Sequence, residues 1–375
     1  MCDYKFNPYT SYVRLYIIIF DKDRKLLQLN NKLLYIVLAL LPLMDSLKLT
    51  VMEGRTTFSP LQELMKRTTM PLPRILQGSI TFEVKEALGA ASDHVDIERL
   101  FPTTYGRPRI AFKEEADPAQ SGAHSERVLR VGVVLSGGQA PGGHNVIAGI
   151  FDYIKKSSKD SVLVGFLDGP QGIYNGQYCI IDDKLMDGYR NSGGFDMIGS
   201  GRHKIEKPEH FAAAMKNCQI LNLDGLVVIG GDDSNTNAAL LAEYFETNGC
   251  QTKVCGCPKT IDGDLKVHPY IPVSFGFDTA CRTYSELIGN LGQDTLSTQK
   301  YYHFVRLMGR AASNIALECA LSTRPNICLI SEEVEAKKST LLEITQEIVD
   351  CIADRATRGK NYGTKFVLFL INTNY

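Results

Sequence analysis

Residues 225–237 read G-L-V-V-I-G-G-D-D-S-N-T-N, an apolar run that passes through two glycines into two adjacent carboxylates. A continuous Val/Ile/Leu run without polar alternation predicts a strand buried on both faces, and the polar residues after it open a helix that Ser234 or Asn235 is able to cap. Asp232 and Asp233 repel each other. One reading of them is a cap with a solvated side chain. The other is a seat for a hard cation, because Mg²⁺ takes carboxylate oxygens together with phosphate oxygens.

The same strand, turn and helix recur outward from this stretch. Apolar runs lie at 131–135 (V-G-V-V-L), 162–166 (V-L-V-G-F), 252–257 (T-K-V-C-G-C), 303–308 (H-F-V-R-L-M), 326–330 (N-I-C-L-I) and 365–371 (K-F-V-L-F-L-I). Segments of helical period separate them. The clearest spans 340–356, with a capping box from Thr340 to Glu343 and an apolar stripe of Leu341, Leu342, Ile348, Val349 and Ile352. Alternating buried strands and helices predict an α/β fold with a doubly wound, mostly parallel sheet, whose ligands sit outside the carboxyl ends of the strands.

Composition narrows the function classes. The 375 residues are enough for two or three domains, and 41 basic against 42 acidic side chains leave no electrostatic footprint for nucleic acid or an anionic membrane. Any phosphate binding must be local. The ten cysteines are scattered without a CxxC pair, which points to reduced thiols and a cytoplasmic setting. Cys255 and Cys257 read as buried strand thiols rather than zinc ligands. Residues 1–53 form an atypical N-terminal extension with apolar runs at 13–20 and 33–43, each short of a membrane span, and no signal-peptide pattern. Residues 54–127 read as an N-terminal region ending in a linker or surface loop at 113–127.

Four further turns carry candidate chemistry. In L-S-G-G-Q-A-P-G-G-H-N, at 135–145, four glycines between a strand and a helix let backbone N–H groups approach a phosphate, although neither the Rossmann nor the Walker spacing is present. In C-P-K-T-I-D-G-D-L, at 257–265, Asp262 and Asp264 are two apart on an extended segment, so alternation turns both toward one cleft, where a carboxylate beside a hydroxyl serves as a general base. Lys259 lies three positions upstream, a positive charge suited to an anionic ligand. Arg202, within G-S-G-R-H at 199–203, and Arg310, within R-L-M-G-R at 306–310, sit beside glycines, and a helix is expected to begin near Gly309. Their forked donors suit phosphate.

Taken in order, S-G-G-Q-A-P-G-G-H-N, G-S-G-R, G-G-D-D-S-N-T-N, P-K-T-I-D-G-D, S-F-G-F-D-T-A, K-Y-Y-H-F-V-R-L-M-G-R and I-S-E-E-V resemble the phosphofructokinase family. Within it they are most similar to the pyrophosphate-dependent branch and its plant-type catalytic beta subunits, over about residues 68–365. The resemblance implies a phosphofructokinase-like fold of two lobes: a phosphoryl-donor lobe at 128–298 and a partial sugar-phosphate lobe at 299–375. It implies a glycolytic, Mg²⁺-requiring transferase that moves a phosphoryl group reversibly from pyrophosphate to the 1-hydroxyl of fructose 6-phosphate, with an alpha subunit as partner in an oligomer and an allosteric response. By the same resemblance Gly138 and Arg202 hold the transferred group, Asp232 engages Mg²⁺, and Asp262 takes the proton with Asp264 beside it. Thr260, Met308, Gly309 and Arg310 hold the sugar phosphate. Asp233 and Lys259 set donor choice: ATP-using relatives carry glycine at both places, so Asp233 excludes a nucleotide while Lys259 neutralises pyrophosphate.

In the family the strand near 365 runs on into an acidic turn and a long C-terminal part, whereas this sequence ends N-T-N-Y, so the second lobe is expected to be incomplete. A non-catalytic or regulatory subunit is the alternative reading. An ATP-dependent kinase of the G-G-D-G type needs glycine where Asp233 stands.

Overall fold

The computed structural model describes residues 59–68, 80–90, 92–114, 127–191, 194–265, 271, 274–298, 302–308 and 312–360. All fall in one compact unit, Thr57–Tyr375. The extension at 1–53, the apolar run at 365–371, most of the 113–127 loop, and Gly309 and Arg310 lie outside the described residues.

In chain order the elements are α1 (Pro60–Arg67), β1 (Ile80–Lys85), α2 (His94–Leu100), β2 (Arg109–Glu114), β3 (Arg130–Leu135), α3 (Gly143–Ser157), β4 (Val162–Phe166), α4 (Pro170–Asn175) and β5 (Tyr178–Ile181). There follow α5 (Asp183–Tyr189), α6 (Pro208–Ile220), β6 (Gly225–Gly230), α7 (Asp232–Thr247), β7 (Lys253–Thr260), β8 (Phe275–Gly276), α8 (Phe277–Thr298), α9 (Asn314–Thr323), α10 (Ser331–Lys337) and α11 (Leu341–Thr357). No helix of the described residues is long and apolar enough to cross a membrane.

Six strands form one sheet in the order β5-β4-β3-β6-β7-β8. Pairing is parallel from β4 through β8, and only the edge strand β5 runs antiparallel to its neighbour. The alternation of strand side chains divides the core in two. Val134, Val164 and Val228 point to a cluster closed by Ala214 and Cys218 of α6 and by Ala238, Leu241 and Phe245 of α7. Their neighbours Val133, Leu135, Leu163 and Ile229 point to the opposite cluster, closed by Ile147, Phe151 and Ile154 of α3 and by Met186 and Tyr189 of α5. Helices cover both faces of the central strands β3, β4 and β6, so these have no wet side and their sequences have no polar alternation. Each fully buried side chain in these clusters contributes about 1.5–3 kcal/mol of transfer free energy.

Several sequence expectations change here. The runs at 303–308 and 326–330 form no named strand. The second is extended, with Ile327 and Leu329 facing Ile344, Ile348 and Cys351 of α11, while Cys328 and Ile330 face a small cluster around Cys281, Ile315 and Cys319. The period of two is therefore correct. A strand also needs a continuous hydrogen-bond ladder, and among the described residues these segments have none, only an isolated bridge at Arg306. Helix α11 has the expected capping box at Thr340 and Glu343, yet Leu341, Leu342 and Val349 of its predicted stripe are exposed. Among the described residues the helix after residue 308 begins at Asn314; the start expected near Gly309 falls outside them.

Cys255 is exposed and Cys257 half-buried, because the short β8 pairs only Lys259 and Thr260 and leaves the first half of β7 open. The nine described cysteines are free thiols. Burial, reinforced by neighbouring thiols, pushes Cys218 and Cys281 up to about 12, which makes them packing groups rather than nucleophiles.

The antiparallel ribbon β1–β2 was not anticipated in the 54–127 region. Its register sets Phe82 opposite Phe112 and Val84 opposite Ile110. All four are exposed.

Candidate active site

Two crossings set the floor of the site at the carboxyl end of the sheet. Beyond β3 the chain turns at Ser136, whose N–H donates to Ile229 O (2.8 Å), and Gly137 N–H donates to Gly201 O (2.9 Å). Ser200 Oγ returns a hydrogen bond to Gly137 O at 2.7 Å. The glycine loop and the 199–207 loop are thus stitched together. The fit needs glycine: Gly169 sits at φ +88°, and a Cβ there would lie 2.4 Å from Gly201 N.

Gly138, Arg202 and Lys259 converge on this floor. A Cβ on Gly138 would lie 3.3 Å from an Arg202 guanidinium nitrogen. Lys259, buried at the end of β7, donates from Nζ to Gly138 O in a short hydrogen bond, and its ammonium lies 5.9 Å from the Phe195 ring centre. Its charge therefore acts from beneath the glycine loop, where the low dielectric strengthens it.

Helix α7 begins directly at the two carboxylates. Its N-cap is Gly231, without a side-chain cap, so Asp232 and Asp233 occupy the first turn. Negative charge there is favoured by the helix dipole. The expected caps do other work. Ser234 Oγ donates to Ser136 Oγ at 2.8 Å, and the Asn235 amide donates to the carbonyls of Gly230 and Gly231, both at 2.8 Å. Both residues lie within the helix, past the cap position that Gly231 occupies. Both aspartates are exposed, and Asp233 Oδ1 meets Lys204 Nζ at 3.2 Å.

The third acidic turn departs from expectation. β7 ends at Thr260, and the chain bends over 261–263 with Gly263 at φ +73°. Strand alternation does not extend to Asp262 and Asp264. Asp262 is buried, 7 % exposed, while Asp264 is half-buried and accepts a hydrogen bond from Thr260 Oγ1 at 3.1 Å. The same Oγ1 accepts from Asp262 N–H at 3.0 Å. Asn314 of α9 donates to Asp262 O at 3.2 Å. One threonine hydroxyl and one distant asparagine hold the turn.

The structure brings together Gly138, Arg202 and Lys259, places Asp232 and Asp233 on the adjoining helix start, and gathers Thr260, Asp262 and Asp264 in one turn. Met308 is exposed and is the only described member of 308–310. Sequence reasoning missed Ser136, Ser200, Asn237, Lys204 and Asn314. Polar residues within the glycine-rich turns were a signal for the first four; nothing local marks Asn314, which arrives from 52 positions away. No group of three or more His, Cys, Asp or Glu among the described residues forms a complete metal cage. A lone carboxylate such as Asp232 still matches Mg²⁺, which commonly takes one or two protein carboxylates and completes its shell with phosphate and water.

Comparison with known proteins agrees with this geometry. The phosphofructokinase family profile matches residues 130–371. The chain is 54 % identical over 312 residues to the pyrophosphate–fructose 6-phosphate 1-phosphotransferase subunit beta 1 of Arabidopsis thaliana, covering 83 % of this chain and 54 % of that one. It is 52 % identical over 319 residues to the pyrophosphate–fructose 6-phosphate 1-phosphotransferase of Treponema pallidum, covering 83 % and 55 %. The chain thus spans about half the length of these relatives. Among solved structures, the phosphofructokinase of Saccharomyces cerevisiae superimposes with a TM-score of 0.55 at 20 % identity, over 65 % of this chain and 31 % of that one. That likeness is one of fold.

Proposed function

The chain belongs to the phosphofructokinase family, and from that premise we propose that it transfers a phosphoryl group from pyrophosphate to the 1-hydroxyl of fructose 6-phosphate, giving fructose 1,6-bisphosphate and phosphate. The observation that carries this reading is the convergence of Gly138, Arg202 and Lys259 on one loop at the carboxyl end of the sheet. Phosphoryl transfer asks little covalent help of a protein. It asks for in-line positioning and for donors on the equatorial oxygens.

In this reading the glycine loop and Arg202 hold the transferred group, and Lys259 neutralises it from below. Asp262 accepts the proton of the attacking hydroxyl, its backbone fixed by Thr260 and Asn314. Asp264 orients Thr260, and the 308–310 segment contributes to sugar-phosphate binding. Asp232 holds Mg²⁺, which supplies charge neutralisation on the donor phosphates. Asp233 fills the space a nucleotide would need. Residues 128–298 form the donor lobe and 299–375 part of the sugar-phosphate lobe, with 1–53 an N-terminal extension and 54–127 the region and linker between. The match to a subunit named beta supports an alpha partner within an oligomer, and the activity supports a cytoplasmic setting.

The test is a donor assay on purified chain, alone and with an alpha subunit, using pyrophosphate and ATP in turn with fructose 6-phosphate. Bisphosphate is expected to form with pyrophosphate and little with ATP. The reverse preference defeats the proposal.

A further inference from the structure

We infer that Lys204 is a donor-specificity residue that acts through Asp233, cancelling its charge so that a carboxylate bars a nucleotide without repelling inorganic diphosphate. The inference rests on the proposed function, since it concerns the same donor site. Its starting point is a lysine in the 199–207 loop whose ammonium lies 3.2 Å from Asp233 Oδ1.

The lysine is held in place. The residue after it, Ile205, is buried, and its backbone makes two hydrogen bonds to one side chain: its N–H donates to Asn237 Oδ1 at 3.0 Å and its carbonyl accepts from Asn237 Nδ2 at 2.6 Å. Asn237 and Asp233 are four apart on α7, hence neighbours on one helix face. The loop therefore docks across that face through two successive contacts. Its other end is tied to the glycine loop by Ser200, and Arg202 lies between the anchors. The backbone on both sides of Lys204 is thereby fixed, which keeps its ammonium within reach of Asp233.

Stability does not explain the pair. Its side chains are 47 % and 69 % exposed, and ion pairs that wet contribute little to folding. Charge balance does explain it. Asp232 and Asp233 put two adjacent carboxylates beside the place where a polyanionic donor binds. If one engages a cation with the donor, the other remains a repulsive charge unless something pairs with it. Lys204 meets that need, leaving Asp233 its volume and removing its net charge.

The experiment measures the dissociation constant of magnesium pyrophosphate by titration calorimetry on the full chain, for wild type, Lys204→Met, Lys204→Arg, Asp233→Asn and the Lys204→Met/Asp233→Asn pair, with thermal unfolding recorded for each. Lys204→Met is expected to weaken binding about fivefold, the upper end of what an exposed charge pair is worth, and Lys204→Arg to restore it. With Asp233→Asn already present, Lys204→Met should have less than a twofold effect. Unchanged binding in Lys204→Met overturns the inference. So does a fivefold loss that persists with Asp233→Asn, because Lys204 would then meet the donor directly. If Lys204→Met alters unfolding, Lys204→Gln is judged by the same thresholds. A wild-type chain that binds no pyrophosphate overturns the functional reading and this inference with it, whereas wild-type binding with no Lys204 dependence overturns the inference alone.

Discussion

Asp232 and Asp233 leave β6 into the first turn of α7 and remain exposed, whereas Asp262, beyond the end of the adjacent parallel strand β7, is buried beneath a threonine-held bend. The two turns are a strand apart and differ in everything that sets a carboxylate's chemistry. Exposed carboxylates are screened and exchange partners readily, which suits cation binding. A buried carboxylate on a pinned backbone loses orientational freedom and feels its neighbours through a lower dielectric, which suits proton transfer. One sheet edge therefore offers two kinds of acid, set apart by depth.

The largest expected effect tests the buried member. Asp262→Asn should lower turnover by about 10²- to 10⁴-fold, the range of a general base, while pyrophosphate affinity stays within about twofold by calorimetry on the scale used for exposed pairs. Equal losses in both quantities would erase the distinction between the turns.

A third acid sharpens the contrast. Glu243, near the far end of α7, is buried and accepts from the N–H and hydroxyl of Thr103 (2.9 and 2.7 Å) and of Thr104 (2.9 and 2.7 Å). Burial alone would raise its pKa, but these four donors outweigh it and hold the carboxyl below the ordinary glutamate range. A lowered folded pKa stabilises fully above the unfolded value of about 4.3, and that contribution is lost as pH falls through the folded value. Glu243→Ala should cost about 1–3 kcal/mol at neutral pH in denaturant unfolding, and the deficit should shrink on acidification below pH ~4. A deficit independent of pH would mean that packing, not the ionised carboxylate, holds the 103–104 segment to the helix.

A smaller effect concerns donor choice, proposed for the exposed Asp233 and the buried Lys259 together. Asp233→Gly combined with Lys259→Gly should shift the ratio of ATP to pyrophosphate use by about tenfold, or 1.4 kcal/mol, read in competing-donor assays. No shift would remove both residues from donor choice.

Much of the six-stranded sheet was legible in sequence. The runs at 131–135, 162–166 and 225–229 fall within observed strands, because apolar β-branched residues buried on both faces leave a local signature. Ribbon β1–β2 does carry a strand signal, with Phe82, Val84, Ile110 and Phe112 alternating with Thr81, Glu83, Arg109 and Lys113, but its pairing was not legible, because registered partners such as Ile80 and Glu114 lie far apart in the chain. Strand β8 has two residues, too few to carry a period.

The sequence by itself determined the order of strands, glycine turns and acids, because those depend on residues within a few positions of one another. Only the tertiary structure decided that Asp262 is buried and Asp233 wet, that Lys204 faces Asp233, and that Asn314 pins the bend after β7. Depth and pairing are set by atoms that arrive from distant parts of the chain, and no local pattern encodes that arrival.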